Sequence, residues 1–275
     1  MERIKQALER ARAEREGKVD AVPTDSNVTS VAERPVQHHT SPPPVDKVTY
    51  SQTRHVEVFA KQLREQRVIS AFEPCAFTDA YKILRTQVLQ RLTENDWNVL
   101  AITSPGHGEG KTLTALNLAA SLAMEVNYTV LLVDANLRHP SLHTHLGIPG
   151  DPGLSDYLLD DTPITELLVQ PKGIDHLTVL PAGRALHKNS AEMLNSPKMS
   201  QLVEEMKNRY PSRIVVFDLP PVLRAADAMA FAPYVDATLL VIEEGKTKRK
   251  ELQHALDLLA STNVLGTVLN KTGHS

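Results

Sequence analysis

The sequence predicts an α/β fold in which a mostly parallel sheet carries helices on both faces. Three observations predict it. Short apolar runs at residues 99–102, 129–133, 177–180, 213–217, 237–242 and 264–269 alternate with segments of helical spacing, and strands apolar along their whole length belong to a sheet buried on both sides. The first run leads directly into a glycine-rich turn and a helix. Two others end in carboxylates, Asp134 and Asp218, at the strand end where open α/β sheets bind ligands.

Composition sets the frame. The chain has 275 residues, a net charge of −3 and 41% apolar residues, which suits one large or two small domains. Basic residues are not gathered on one face of the core, so nucleic acid is not an expected partner. A single cysteine, Cys75, excludes an intramolecular disulfide and suits a reducing compartment. No apolar run approaches the ~18 residues that read as a bilayer span, and the charged N-terminus lacks a secretory signal's apolar core. The expectation is a cytoplasmic protein with no direct membrane insertion.

In chain order, residues 1–17 read as a charged helix. Residues 2–16 are rich in helix formers, Ile4, Leu8 and Ala11 form a thin apolar stripe, and Gly17 is a stop. So thin a stripe does not hold a helix by itself; a docking helix and a solvated one are equal readings. Residues 18–54 read as a disordered linker, with Pro23, Pro35 and the run Pro42-Pro43-Pro44 among polar residues. His38-His39 within it reads as polar filler rather than a metal pair. Residues 55–97 read as a helical lead-in. A first helix spans 55–68 on Val58, Phe59, Leu63 and Val68, Pro74 breaks the pattern, and a second spans 77–92 with Tyr81, Leu84, Val88 and Leu92 on one face. Asp79, Lys82 and Arg85 lie three apart on that helix, a charged row that is either solvated or a contact with another subunit.

The core, residues 98–275, opens on the most informative stretch. The apolar run from Val99 to Ile102 is followed by Ser104, Pro105, Gly106, His107, Gly108, Glu109, Gly110, Lys111 and Thr112. Helical spacing then begins with Leu113, Leu116, Leu118, Ala119 and Leu122. Strand, glycine-rich turn, Gly-Lys-Thr and helix form a phosphate-binding loop (P-loop). Glycines let consecutive backbone N–H groups approach phosphate oxygens, and the helix adds its unpaired N–H groups and positive dipole end. Lys111 is suited to the β- and γ-phosphates, and Thr112 to a Mg²⁺ ion. The G-x4-G-K-[ST] pattern is missed at one position, where Pro105 holds the first glycine place. The expected phosphate-binding positions are Gly106, His107, Gly108, Glu109, Gly110, Lys111, Thr112 and Leu113.

Short helices follow over 154–159 and 164–168, a helical stretch over 190–210 breaks at Pro197, and a last helix runs to about residue 259. Asp134 closes the strand after the P-loop helix, and Asp218 closes the strand at 213–217. Phosphoryl transfer asks of a protein mainly metal, positioning and charge. Two strand-end carboxylates beside Lys111 and Thr112 suit a hydrated Mg²⁺ and the polarising of an attacking hydroxyl or water.

These segments resemble a known family. Residues 103–112, 130–140 and 214–222 look like the Walker A, A′ and B motifs of the bacterial tyrosine autokinases of capsule and exopolysaccharide loci. Pro181-Ala-Gly183, Glu192-Met-Leu194, Asp218-Leu-Pro-Pro221, Asp227-Ala228 and the Leu265 to Asn270 run match as well, so the resemblance covers about residues 77–272. The layout is most similar to the exosortase-linked members, whose kinase is separate from its membrane partner. The resemblance implies an ATP- and Mg²⁺-dependent P-loop NTPase-fold kinase with Lys111, Asp134 and Asp218 as catalytic residues. It also implies Thr112, Asp134 and Asp218 at the metal, and Arg138 at phosphate or a neighbouring subunit. The implied partner is an inner-membrane polysaccharide chain-length determinant protein. Asp79, Lys82 and Arg85 occupy the place of a Glu-x-x-Arg-x-x-Arg ring-assembly motif, which implies a homo-oligomer, although Lys lacks the planar fork of Arg.

Two departures stand out. Asn136 replaces the family's usual Asp, and Asn supplies neither a base nor negative charge. No tyrosine follows Tyr234, whereas the family ends in a tyrosine cluster. The remaining acceptor candidates are Tyr50, Tyr81, Tyr128, Tyr157, Tyr210 and Tyr234, with Tyr50 in the linker the most accessible. Two rivals share the fold: a hydrolytic ATPase of the partitioning type, which usually carries an extra lysine absent from residues 104–107, and a nucleotide-gated scaffold without phosphotransfer.

Overall fold

The computed structural model describes residues 53–68 and 75–273. The expected N-terminal helix, nearly all of the proline-rich linker with His38-His39, and Tyr50 lie outside the described residues. Eight strands form one sheet: β1 (Arg54–Glu57), β2 (Val99–Thr103), β3 (Thr129–Asp134), β4 (Val169–Lys172), β5 (Leu177–Leu180), β6 (Arg213–Asp218), β7 (Ala237–Glu243) and β8 (Val264–Asn270). Their order is β1-β4-β5-β3-β6-β2-β7-β8. Every pairing is parallel except β4 with β5, which matches the expected mostly parallel sheet.

Period-two alternation along the strands builds two cores. Leu100, Ile102, Val130, Leu132, Ile214 and Val216 face one side, where α2 (Ala76–Asn95) and α3 (Lys111–Leu122) pack. Val99, Ala101, Leu131, Val133, Val215 and Phe217 face the other. That side is covered by α5 (Leu154–Asp160), α8 (Pro197–Asn208) and α10 (Arg249–Leu258), with shorter α6 (Ile164–Leu167), α7 (Ser190–Leu194) and α9 (Asp227–Phe231). The two remaining short helices, α1 (Ala60–Glu65) and α4 (Leu142–Leu146), lie on the α2–α3 side. At roughly 1.5–3 kcal/mol for each fully buried large aliphatic or aromatic side chain, these faces outweigh any local propensity.

Three expectations differ from the structure. The helix expected over 55–68 is instead β1 followed by the short α1. His55-Val-Glu-Val58 alternates polar and apolar, and Val56 and Val58 pack on the core. That period of two, paired in register with β4, prevails over the looser helical spacing. β4 itself went unexpected, because Pro171 interrupts a run that otherwise reads as strand. Finally, the sheet is not covered on both faces throughout: along the edge strand β8, Leu269 is 53% exposed, and Ile83 on the neighbouring α2 is 62% exposed. The break at Pro197 is where α7 ends and α8 begins, with Ser196 Oγ accepting the Met199 N–H at 3.2 Å. No helix among the described residues is long and apolar enough to cross a membrane.

Candidate functional site

The sheet order creates the site. β6 lies between β3 and β2, so Asp134 and Asp218 are register partners at adjacent strand ends, and Ile102, just before the loop, also pairs with Asp218. Both carboxylates are fully buried, and Lys111 and Thr112 are 8% exposed. Lys111 Nζ stands 3.0 Å from Asp218 Oδ1 and 3.1 Å from Thr112 Oγ1, and the Thr112 hydroxyl donates to Asp218 Oδ2 at 2.7 Å. The four groups named from sequence thus converge at one end of the sheet.

Asp134 is held by backbone. Its Oδ1 accepts the Asn136 N–H at 3.1 Å, and its Oδ2 accepts those of Ser141 and Leu142 at 3.2 and 3.1 Å. Burial, and then the neighbouring Asp218 charge, push its pKa up from 3.8 to about 7, against the pull of Lys111 and these N–H groups. Two buried carboxylates therefore share one lysine. Thr112 Oγ1, Asp218 and Asp134 form a set of hard oxygen donors with surplus negative charge, which fits Mg²⁺.

Around them, α3 begins at Lys111, so the N–H groups of Lys111, Thr112 and Leu113 have no acceptor inside the helix. The Leu113 side chain packs against the core. Gly110 takes φ +93° and Gly108 φ +74°, values that suit glycine. The Glu109 side chain does not face the loop's ligand side: one oxygen accepts the Gly106 N–H at 2.6 Å and the other accepts the Thr247 hydroxyl. His107 is exposed on the loop. Its ring stands 6.2 Å from that of His139, which lies 6.1 Å from that of His187. Burial, followed by the positive neighbours His139, Arg224, Lys111 and Lys246, holds the His107 pKa below the ordinary value. Arg138 points elsewhere: its Nε donates to the buried Asp227 at 2.9 Å, and Nη1 donates to the His187 carbonyl at 3.1 Å. Asn136, 5% exposed, donates from Nδ2 to the His139 carbonyl at 2.9 Å.

Sequence reasoning missed a second set, Glu243, Lys246, Thr247, Asn270 and Lys271, which reaches the P-loop from the ends of β7 and β8. The signal was available, since each lies at or just past the C-terminal end of an expected strand. In the charged row on α2, Lys82 pairs with Asp79 at 2.8 Å, while Arg85 pairs with Glu125 at 2.9 Å and donates to the Ser121 carbonyl.

Comparison with known proteins gives this geometry a family. Residues 97–260 match the AAA domain family. Over 209 residues the chain is 35% identical to tyrosine-protein kinase YwqD of Bacillus subtilis, covering 75% of this chain and 86% of that protein. The chain belongs to the bacterial tyrosine kinase family. Another relative is the succinoglycan biosynthesis transport protein ExoP of Rhizobium meliloti, 34% identical over 76% of this chain but only 27% of that protein. The solved kinase domain of VpsO superposes with a TM-score of 0.64 at 32% identity, covering 72% of this chain and 96% of that domain. The P-loop fold and family expected from the motifs are thereby established.

Proposed function

We propose that this chain is a Mg-ATP-dependent protein-tyrosine autokinase acting in exopolysaccharide production or export. The observation that carries the reading is the convergence of Lys111, Thr112, Asp134 and Asp218 beneath a glycine-rich loop, in a chain whose relatives are named tyrosine-protein kinases. In the reaction, a tyrosine oxygen attacks the γ-phosphorus of ATP in line. The new O–P bond forms as the bond to the β,γ-bridging oxygen breaks, and ADP leaves. Lys111 and the loop N–H groups orient and neutralise the phosphates. Thr112 and Asp218, with Asp134, would hold Mg²⁺, which supplies charge neutralisation when bound. Asp134, at the strand end beside Asp218, is the carboxylate placed to take the phenolic proton.

Gly108, Gly110, Lys111, Thr112 and Leu113 act through backbone N–H groups, whereas the Gly106 N–H is taken by the Glu109 carboxylate, and Glu109 and Arg138 brace the site from outside. Tyr50 is the preferred acceptor. A chain-length determinant protein at the inner membrane is the proposed partner on the cytoplasmic side, in a locus of the exosortase-linked type, with homo-oligomerisation through the α2 charged row. Mass spectrometry after incubation with ATP and Mg²⁺, with and without membranes from the source cell, tests this. Phosphotyrosine is expected in the parent and absent from Lys111→Met, and its absence from the parent under both conditions overturns the reading.

One observation favours a second reading, a nucleotide-gated scaffold. Asn136 stands beside Asp134 where the family usually has a further carboxylate. Nucleotide binding without phosphotyrosine selects the scaffold, and steady phosphate release without phosphotyrosine selects a hydrolytic ATPase.

A further inference from the structure

Three consecutive carbonyls of the P-loop are each captured by a side chain from the ends of β7 and β8. Lys246 Nζ donates to the His107 carbonyl at 2.9 Å, Lys271 Nζ to that of Gly108 at 2.7 Å, and Asn270 Nδ2 to that of Glu109 at 2.9 Å. Glu243 joins the two lysines, with an oxygen 3.0 Å from Lys246 Nζ and 3.1 Å from Lys271 Nζ. Register pairs Glu243 with Asn270, so one rung of the β7–β8 ladder carries both the carboxylate and the amide.

A trans peptide is planar, and its C=O and the following N–H point in opposite directions. Fixing the carbonyls of residues 107, 108 and 109 toward β7 and β8 therefore aims the N–H groups of Gly108, Glu109 and Gly110 away from them. We propose that Lys246, Asn270 and Lys271, tied through Glu243, are positioning residues that preset the P-loop for phosphate by holding its carbonyls off the ligand side. This rests on the nucleotide site described above. At Gly110 the fit is close enough to demand glycine, since a Cβ there would stand 2.0 Å from Asn270 Nδ2; at Gly108 it is the φ of +74°, not the space, that favours glycine.

The magnitudes favour a positioning role over a stabilising one. Both lysine side chains are about half exposed, at 52% and 46%, and exposed ion pairs contribute little to folding. A loop already in its bound shape instead spares the ordering that binding otherwise requires, so the effect falls on nucleotide affinity.

The test titrates Mg·ADP calorimetrically into the full-length parent, Lys246→Met, Lys271→Met, the double Met variant, Asn270→Ala, and a double Arg variant that restores a donor at both lysine positions. The double Met variant is expected to bind about 10-fold more weakly, equivalent to about 1.4 kcal/mol. Recovery by the Arg pair and little change in the Tm of the nucleotide-free protein complete the expected result. Parent-like affinity in the double Met variant overturns the inference, as does a Tm loss that accounts for the whole effect without recovery by Arg. If the double Met variant does not fold, the single variants and Asn270→Ala carry the same comparison. A parent that binds Mg·ADP yet forms no phosphotyrosine removes the kinase reading and leaves this one standing. A parent that binds no nucleotide removes both.

Discussion

Asp134 is the site carboxylate whose titration the fold shifts upward. Its pKa rises from 3.8 to about 7 in the fold, by burial and then by Asp218. The folded protein thus prefers its acid form. The stability this lends is complete below about pH 4 and is lost as pH climbs through about 7. Asp134→Asn removes that dependence while disturbing three backbone contacts. The Tm deficit of Asp134→Asn relative to the parent is therefore expected to shrink between pH 5 and pH 8 in nucleotide-free protein; a constant deficit would refute the assignment. Asn136→Asp acts oppositely. It adds a carboxylate beside two others that share one lysine and gives up the Nδ2 donor to His139, a loss on the order of 1–3 kcal/mol. Thermal scans should show that loss enlarging as pH rises from 6 to 8 and shrinking when Mg-nucleotide is added. At this scale the sequence was readable where chemistry is spelled locally, as in Lys111, Thr112 and the two strand-end aspartates. Lys246 and Lys271 were legible only as residues just past expected strands, not as partners of the loop, because their contacts depend on the β7–β8 register and on loop carbonyls more than 130 residues away. Likewise, the turn of Glu109 toward Thr247 and of Arg138 toward Asp227 is set by tertiary neighbours.

At the scale of elements, the junction of β2, the loop and α3 is the most constrained. Gly110 is the N-cap of α3 at φ +93°, against Asn270. Gly110→Ala is expected to destabilise the protein by ~1–3 kcal/mol through backbone strain and to weaken Mg·ADP binding. Equilibrium denaturation and titration read the two effects separately. α3 buries 11 of its 12 residues, as a helix packed on several sides must, whereas α2 buries only Thr78, Tyr81, Val88 and Leu92. Leu116→Ala within α3, at a fully buried position, should cost ~2–5 kcal/mol in denaturant unfolding, well above any change at exposed Ile83. Long elements with a consistent pattern, such as α2 and strands β3, β6 and β7, were recognisable from sequence. Four-residue β1 and β4 were not, because β1 alternates over too few residues, Pro171 interrupts β4, and both are set by sheet pairing, β1 with β4 and β4 also with β5.

Across the whole molecule, the sheet grades from a sealed centre to open edges. β2, β3 and β6 are buried at every position, while β8 and β1 are only partly covered. Hydrogen exchange should follow that grade, with amides of the central strands opening only by global unfolding and those of β1 and β8 opening locally. Mg·ADP at 100 times its Kd should add about 2.7 kcal/mol of global stability. The added protection should concentrate at residues 104–112, 243–247 and 270–271, and protection confined to the first of these would argue that the β7–β8 ends do not participate. The three-layered α/β fold was legible as a whole because each central strand is apolar on both faces. The incomplete cover of β8 was not, since its Val264-Leu-Gly-Thr-Val-Leu269 run is as apolar as the buried strands.

The position of β6 also bears on how the protein matures as it is made. β6 is inserted between β2 and β3 although it is synthesised about 80 residues after β3, and pairings so distant in sequence form late. A chain emerging from the ribosome as far as α8 already displays the P-loop and Asp134, but it lacks the strand that separates them and the aspartate that answers Lys111. Until β6 is threaded into place there is no paired carboxylate site, and until β7 and β8 follow, nothing holds the loop's carbonyls. The paired carboxylates and the braced loop are thus completed in succession, and only by the last quarter of the sequence, residues 213–275.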